Sequence, residues 1–309
     1  MGTDDLILLA VTLGTLAVAF GLAYWVFRAA SDRSARVGLY LLFGIPGVLL
    51  TVVGAAFAVH GSDGGWTALA VGVGLCLPLI PALRRFVAAW TPMDSASPVD
   101  MAGLCVVLAV IGVLFASYVL SPDPASAGGD VSVAELLIQF LAEIAFAYIL
   151  VGLLITRNFR QATARLGVIT PTGTMIAVAT FAVFVALVVV VAGGVATNLL
   201  QPDVSKEIDE ATKEITSGVQ NPIGAVFFGL GAGAGEELLL RGAIQPRYGL
   251  IVTSVLFALL HNQYGISFVL LSIFVVGLML GLERKYFGTT TSFLTHAIFN
   301  TIVVLIGQK

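Results

Sequence analysis

Long apolar stretches separated by short polar loops dominate this sequence. A membrane-spanning helix needs about 20 consecutive apolar residues, and ten stretches approach that length. The eighth is short, so the pattern predicts an all-α, polytopic transmembrane helical bundle with nine or ten spans. The candidate spans are residues 6–27, 37–60, 66–83, 101–120, 133–155, 174–196, 221–240, 249–263, 266–282 and 289–306.

The composition supports a membrane protein. Hydrophobic residues make up 58% of the 309 positions and charged residues only 11%, whereas soluble domains have about 25% charged residues. The net charge of −3 gives no general basic surface, so we expect no nucleic-acid partner. Cys76 and Cys105 lie in apolar stretches and are expected to be free thiols.

The basic residues follow alternate apolar stretches, which predicts the orientation. Arginine and lysine mark the cytoplasmic side of a membrane, so the N-terminus and the loop at 197–220 should face outside. We expect the cytoplasmic membrane of a prokaryote. Twelve of the 15 basic residues fall on the predicted cytoplasmic side: Arg28, Arg33, Arg36, Arg84, Arg85, Arg157, Arg160, Arg165, Arg241, Arg247, Arg284 and Lys285.

Two further segments are interpreted from their polarity. The N-terminus begins MGTDD, with acids where a signal peptide has basic residues, so the first apolar stretch is expected to be a retained membrane helix. The polar segment 201–217 is interpreted as a solvated connector, with a short surface helix as the alternative. We divide the chain into N-terminal accessory spans at 1–125 and a C-terminal membrane domain at 126–309, which contains the polar clusters described next.

Three polar clusters interrupt the apolar pattern near the end of the chain: EELLLR at 236–241, FALLH at 257–261 and HAIFN at 296–300. A charge at the bilayer centre costs at least about 2.5 kcal/mol, so such residues are usually functional. Residues four apart share a helix face. This spacing places Phe257 beside His261, His296 beside Asn300, and Glu237 beside Arg241.

The turn signal QPRYG at 245–249 predicts that the first two clusters lie at similar depth. At about 1.5 Å per residue, Glu236 and His261 lie about 16 and 21 Å from Arg247. His296 and Asn300 enter from the same side. We therefore predict that Glu236, His261, His296 and Asn300 converge on one cavity that opens toward the cytoplasm.

These residue types can hydrolyse an amide bond. A carboxylate and a neutral imidazole together can hold and deprotonate a water molecule. A second histidine and an amide can donate hydrogen bonds to a tetrahedral oxyanion. Arg241 can compensate one of two adjacent carboxylates, which could not both ionise cheaply in a low dielectric.

In this order, EExxxR, FxxxH and HxxxN resemble the CPBP family of intramembrane proteases, which includes CAAX prenyl endopeptidases and bacteriocin-processing proteins. The resemblance covers a motif core at about 221–305. It implies that Glu236 and His261 activate the water, and that His296 and Asn300 stabilise the oxyanion. It further implies that Glu237 and Arg241 hold the site, with Phe257 packed against it.

The family has been described both as metalloproteases and as metal-free glutamate proteases. No cofactor is favoured here, but zinc remains possible because two histidines and one glutamate can bind it. Its ligands would be Glu236, His261 and His296.

A stripe of polar residues lies on the predicted fifth span. Glu135, Gln139 and Glu143 recur every four residues, and Glu143 is interpreted as the other deep carboxylate in the chain. The stripe fits hydrogen bonds between helices or, alternatively, a cavity wall that supports the site.

The resemblance implies an endopeptidase that acts on a membrane-associated peptide or protein, including lipidated C-terminal CAAX-like substrates. One alternative is a transporter or a proton or ion relay built on the same intramembrane Glu, His and Arg residues. Another is a catalytically silent scaffold. The sequence leaves the oligomeric state open.

Overall fold

A computed structural model describes residues 3–120 and 132–307. Within these ranges the chain is helical, and its only β-type pairing is an isolated bridge between Leu153 and Arg157. Short 3₁₀ turns occupy Leu77–Leu79, Ser217–Val219 and Asn262–Tyr264, and Glu237–Ile244 is a π-helix. The α-helices are α1 (Thr3–Arg28), α2 (Arg33–Val59), α3 (Asp63–Cys76), α4 (Pro81–Ala88), α5 (Pro98–Leu120), α6 (Val133–Leu150), α7 (Phe159–Leu166), α8 (Gly173–Leu200), α9 (Pro202–Thr216), α10 (Pro222–Glu236), α11 (Gln245–Leu259), α12 (Phe268–Phe287) and α13 (Thr289–Gly307).

The bundle is polytopic, as predicted, but it has fewer spans than predicted. In the described ranges seven helical stretches are long and apolar enough to cross a membrane. An eighth is obtained if α3 and α4, which meet at an 85° bend, count as one span. The prediction of nine or ten spans was therefore too high. Two of the predicted spans lie in one stretch, Pro222–Leu259. α12 carries three consecutive charged residues, Glu283, Arg284 and Lys285, in its last turns.

The stretch Pro222–Leu259 is a helical hairpin that turns at Gly249. Arg241 and Phe257 are 16 residues apart, about 24 Å along an unbroken helix, yet the guanidinium lies 4.2 Å from the ring centroid. Gly249 has φ 81° and ψ 176°, a conformation that only glycine adopts readily. The arm after Gly249 holds ten helical residues, about 15 Å, which is half the hydrocarbon core. The predicted eighth span is therefore only a half-span.

The described chain forms two compact units. Unit 2 comprises Gly21–Pro122 and Arg247–Gly249, and unit 1 contains the remainder. In unit 2, α2, α3 and α5 pack through glycines such as Gly54, Gly65 and Gly74, at which an added methyl would meet neighbouring backbone. Both cysteines are free in this unit, as expected.

Alternate glycines on α10 let two helices approach it closely in unit 1. Gly229 and Gly233 lie against α13, whereas Gly231 and Gly235 lie against α6. Small residues four apart are a common means of close helix packing in membranes. Glu237 lies four residues after Gly233 and therefore on the same helix face. Its carboxylate is directed toward α13. Gly235 brings α6 beside Glu236.

Segment 201–217 forms α9, so the interpretation as a connector was wrong and the surface-helix alternative is the structure found. Ile208 and Ala211 form its buried face. The helix packs against the 3₁₀ turn Asn262–Tyr264. Gln201 Nε2 also donates a hydrogen bond to the carbonyl of Ile266, 3.1 Å away. This end of unit 1 therefore holds the segment that follows α11.

Candidate active site

The site is centred on a buried carboxylate, Glu237, at the start of the π-helix. Its side chain is fully buried, and Oε1 lies 3.1 Å from Nη1 of Arg241, which is also fully buried. The same oxygen lies 3.0 Å from Nδ1 of His296 on α13. π-helical turns are rare in proteins, and those that exist are often found at functional sites. One carboxylate oxygen thus joins the first and third sequence clusters.

Arg241 is held on several sides. Its Nη2 donates to the carbonyl of Gly277 at 3.4 Å, and its guanidinium stacks over Phe257. The Arg284 Nε in turn donates to the Arg241 carbonyl at 3.1 Å. A cation over an aromatic ring in a dry environment gains about 2 kcal/mol or more. Arg241 therefore fixes the π-helix against both α11 and α12.

Phe257 connects the two histidines. Its ring centroid lies 4.7 Å from that of His261 and 5.8 Å from that of His296. Nδ1 of His261 lies 2.8 Å from the Phe257 carbonyl, which can only accept a hydrogen bond. The Nδ1 hydrogen is therefore used, and the neutral ring keeps a free lone pair on Nε2. The same reasoning applies to His296, whose Nδ1 faces the Glu237 carboxylate.

A small cleft, with a cavity volume of about 40 Å³, borders these groups. The predicted residues His261, His296 and Asn300 all line it, together with Phe257 and apolar side chains of α12. Three of the four residues that were expected to share a cavity therefore do so.

Glu236 is not among the residues that line this cleft. It lies within electrostatic range of His261 and His296, and its buried Oε2 has no hydrogen-bond partner. This orphaned oxygen is available to a water molecule or a substrate.

Glu143 approaches Glu236 from α6. Gln139 Nε2 donates to its Oε1 at 3.1 Å, while its buried Oε2 has no hydrogen-bond partner. Glu135 closes a capping box with Ser132. These hydrogen bonds of the stripe lie within or at the start of α6, whereas the sequence pattern predicted hydrogen bonds between helices. Glu143 is also within electrostatic range of Glu236 and His296.

We expect Gly235→Ala to reduce activity, because the new methyl would overlap the Glu143 carboxylate. Overpacking of this kind costs about 1–3 kcal/mol. The rates of cleavage by Gly235→Ala and by Gly235→Ala/Glu143→Ala should be compared, and the second change should restore part of the loss. Gly194→Ala on α8 is the control, since a methyl there meets nothing. An active Gly235→Ala variant would show that this contact does not matter.

Glu143→Gln should keep at least about a tenth of the activity, a loss below about 1.4 kcal/mol in the barrier. The amide preserves the shape of the side chain and can still pair with Gln139. Initial rates of the variant and the wild type provide the measurement. Complete loss of cleavage would instead assign the carboxyl group a direct part in the reaction.

The sequence analysis did not identify Glu283 as a buried carboxylate. The interpretation of Glu143 as the other deep carboxylate, besides Glu236 and Glu237, was therefore incomplete. Glu283 is 5% exposed and accepts a hydrogen bond from Thr295 Oγ1 at 2.8 Å. It also lies within electrostatic range of Glu237 and Arg241. Its neighbours Arg284 and Lys285 made it resemble part of a charged loop. Only the packing of α12 on α13 places it behind the site.

The residues do not form a metal site in this conformation. Glu236, His261 and His296 have suitable donor atoms for zinc. However, the described part of the chain contains no group of three or more His, Cys, Asp or Glu side chains arranged to hold a metal ion. We therefore derive no chemical step through a metal.

Residues 218–302 match a family model, described as type II CAAX prenyl endopeptidase Rce1-like. The match supports the assignment of this segment to the CPBP family. The family predicted from the three motifs is thus confirmed, and the match includes all of them. No curated protein and no solved structure matches the chain.

The family match and the apolar helices establish an integral membrane protein and support a CAAX-type peptidase in general terms. A lipid bilayer and a peptide substrate are the corresponding partners. The match covers unit 1 residues and the short turn 247–249, but nothing before residue 218.

Proposed function

We propose that this protein is an intramembrane endopeptidase that cleaves a membrane-associated peptide or protein with a water molecule activated by Glu236 and His261. The observation that carries the proposal is the convergence of two histidines and Asn300 on one cleft, beside an orphaned carboxylate oxygen of Glu236. Nothing in the proposal requires a metal.

The proposed reaction uses the Glu236 carboxylate oxygen and the His261 Nε2 lone pair, which the hydrogen bonds described above do not occupy. Glu236 accepts a proton from water while the Nε2 lone pair of His261 orients it, and the water oxygen bonds to the substrate carbonyl carbon. Asn300 and His296 donate hydrogen bonds to the resulting oxyanion. His296 can donate through Nε2 only as an imidazolium, since its Nδ1 hydrogen faces Glu237. Collapse of the intermediate breaks the C–N bond, and the proton on Glu236 passes to the leaving nitrogen.

Glu237 and Arg241 are positioning residues in this scheme. Arg241 neutralises Glu237, and Glu237 pairs with a charged His296; neither Glu237 nor Arg241 lines the cleft. Phe257 separates the two imidazoles.

The family description supports a substrate class. We propose peptides with a membrane-embedded or lipidated C-terminal segment of CAAX-like type. We further propose residues 126–309 as the catalytic domain, residues 1–125 as accessory spans, and a prokaryotic cytoplasmic membrane as the location. In this arrangement the N-terminus is outside, and the cleft opens toward the cytoplasm.

The test is cleavage by purified protein in liposomes. The panel contains farnesylated and geranylgeranylated C-terminal peptides, the same peptides without lipid, and membrane-spanning peptides, each with and without a chelator. Mass spectrometry of the products identifies the bond. We expect cleavage of at least one panel member, unchanged by the chelator.

Two results would revise the proposal. Cleavage that the chelator abolishes and zinc restores would replace the metal-free scheme by a zinc site. If folded protein cleaves no panel member but moves protons or ions across the liposome membrane, the relay alternative replaces the protease.

A further inference from the structure

Among the described residues of the cleft, Tyr264 is a polar side chain that the three motifs do not contain. It lines the cleft with His261, His296 and Asn300. Its ring stacks on that of His261, with centroids 5.9 Å apart and planes inclined by 12°. It also lies within electrostatic range of Glu236.

The backbone fixes Tyr264 relative to His261. The Tyr264 amide donates to the His261 carbonyl at 3.1 Å, and Ser267 Oγ donates to the Tyr264 carbonyl at 2.7 Å. The 3₁₀ turn that carries Tyr264 packs against α9. Donors held in place before the reaction need no reorganisation during it, and this gives them their catalytic value.

The polar groups on the cleft differ in their ability to donate a hydrogen bond. Neutral His261 and His296 present lone pairs, because their Nδ1 hydrogens are used. The Thr295 hydroxyl is directed to Glu283 or to the Thr291 carbonyl. Only an amide or a phenol donates in either protonation state of the histidines.

Gln263 is the polar neighbour of the Tyr264 phenol. Its side chain lies within hydrogen-bond range of the Tyr264 phenol, and an amide N–H can donate to the phenolic oxygen. The O–H of Tyr264 then remains available for another acceptor.

We propose that Tyr264 is a catalytic residue whose phenol donates a hydrogen bond to the oxyanion, together with Asn300. This inference rests on the proposed function. As the water oxygen bonds to the carbonyl carbon, the π electron pair moves onto the carbonyl oxygen. Tyr264 and Asn300 hold that charge without transferring a proton. When the intermediate collapses, the pair re-forms the C=O bond as the C–N bond breaks.

Tyr264→Phe tests this role, because it keeps the aromatic stack and removes only the hydroxyl. We expect kcat to fall about 100-fold with little change in KM, since loss of one oxyanion donor costs about 10²–10³ in kcat. Tyr286→Phe is the matched control, as this tyrosine is 66% exposed. Tyr264→Leu, which removes ring and hydroxyl, should be no more active than Tyr264→Phe. Thermal unfolding of each variant checks that it is folded.

The outcomes separate the two proposals. If Glu236→Gln is inactive and Tyr264→Phe has wild-type kcat, the phenol is only a wall of the cleft and this inference is wrong. If Glu236→Gln retains wild-type cleavage, the proposed mechanism itself fails. A higher KM with unchanged kcat for Tyr264→Phe would make Tyr264 a substrate-binding residue and would also overturn its oxyanion role.

Discussion

Glu236→Gln should cleave about 10²–10⁴-fold more slowly than the wild type, the usual contribution of a general base. The amide oxygen has nearly the same shape as the carboxylate but cannot take a proton from water. Single-turnover rates on the best panel substrate measure the change. The fold should remain intact, because the buried ion pair is made by Glu237 and not by Glu236.

Two variants control this result. Glu210→Gln removes an exposed carboxylate on α9 and should leave the rate unchanged. Glu237→Gln should lower both the rate and the melting temperature, because it leaves Arg241 buried without its partner. A Glu236→Gln enzyme with more than a tenth of wild-type activity would exclude Glu236 as the general base.

Arg241→Met should destabilise the protein by about 3–5 kcal/mol, because it leaves the fully buried Glu237 without its counter-charge. The variant also loses the cation over Phe257. Thermal unfolding in detergent should show a melting temperature lower by roughly 10 °C. Activity should fall as well, since Glu237 orients His296.

An exposed ion pair provides the matched control. Lys206 and Asp203 lie 3.1 Å apart with side chains 73% and 88% exposed, and such pairs contribute about 0–1 kcal/mol. Lys206→Met should therefore melt close to the wild type. Arg241→Met/Glu237→Gln should regain part of the lost stability, because no charge is then stranded. An Arg241→Met protein that melts like the wild type would refute the structural role of the pair.

Local spacing made much of this protein predictable. The apolar stretches require helices in a membrane. Residues four apart share a helix face wherever the helix lies, so the pairing of Glu237 with Arg241 follows from the sequence. The turn near 245–249 was also predictable from its residue types. These properties depend only on near neighbours along the chain. The family was predicted from the resemblance of the three motifs EExxxR, FxxxH and HxxxN.

The tertiary structure decided what depends on contacts between distant segments. His296 lies 59 residues after Glu237, so only the packing of α10 on α13 selects Glu237 as its partner. The buried position of Glu283 depends on its contact with Thr295. The arm of α11 after Gly249 is only half a span long because the chain folds back at Gly249. Tyr264 had no sequence signal, because a tyrosine near the end of an apolar stretch is ordinary in a membrane protein. Its place beside His261 comes from a 3₁₀ turn that packs against α9, and short-range periodicity carries no information about such a contact.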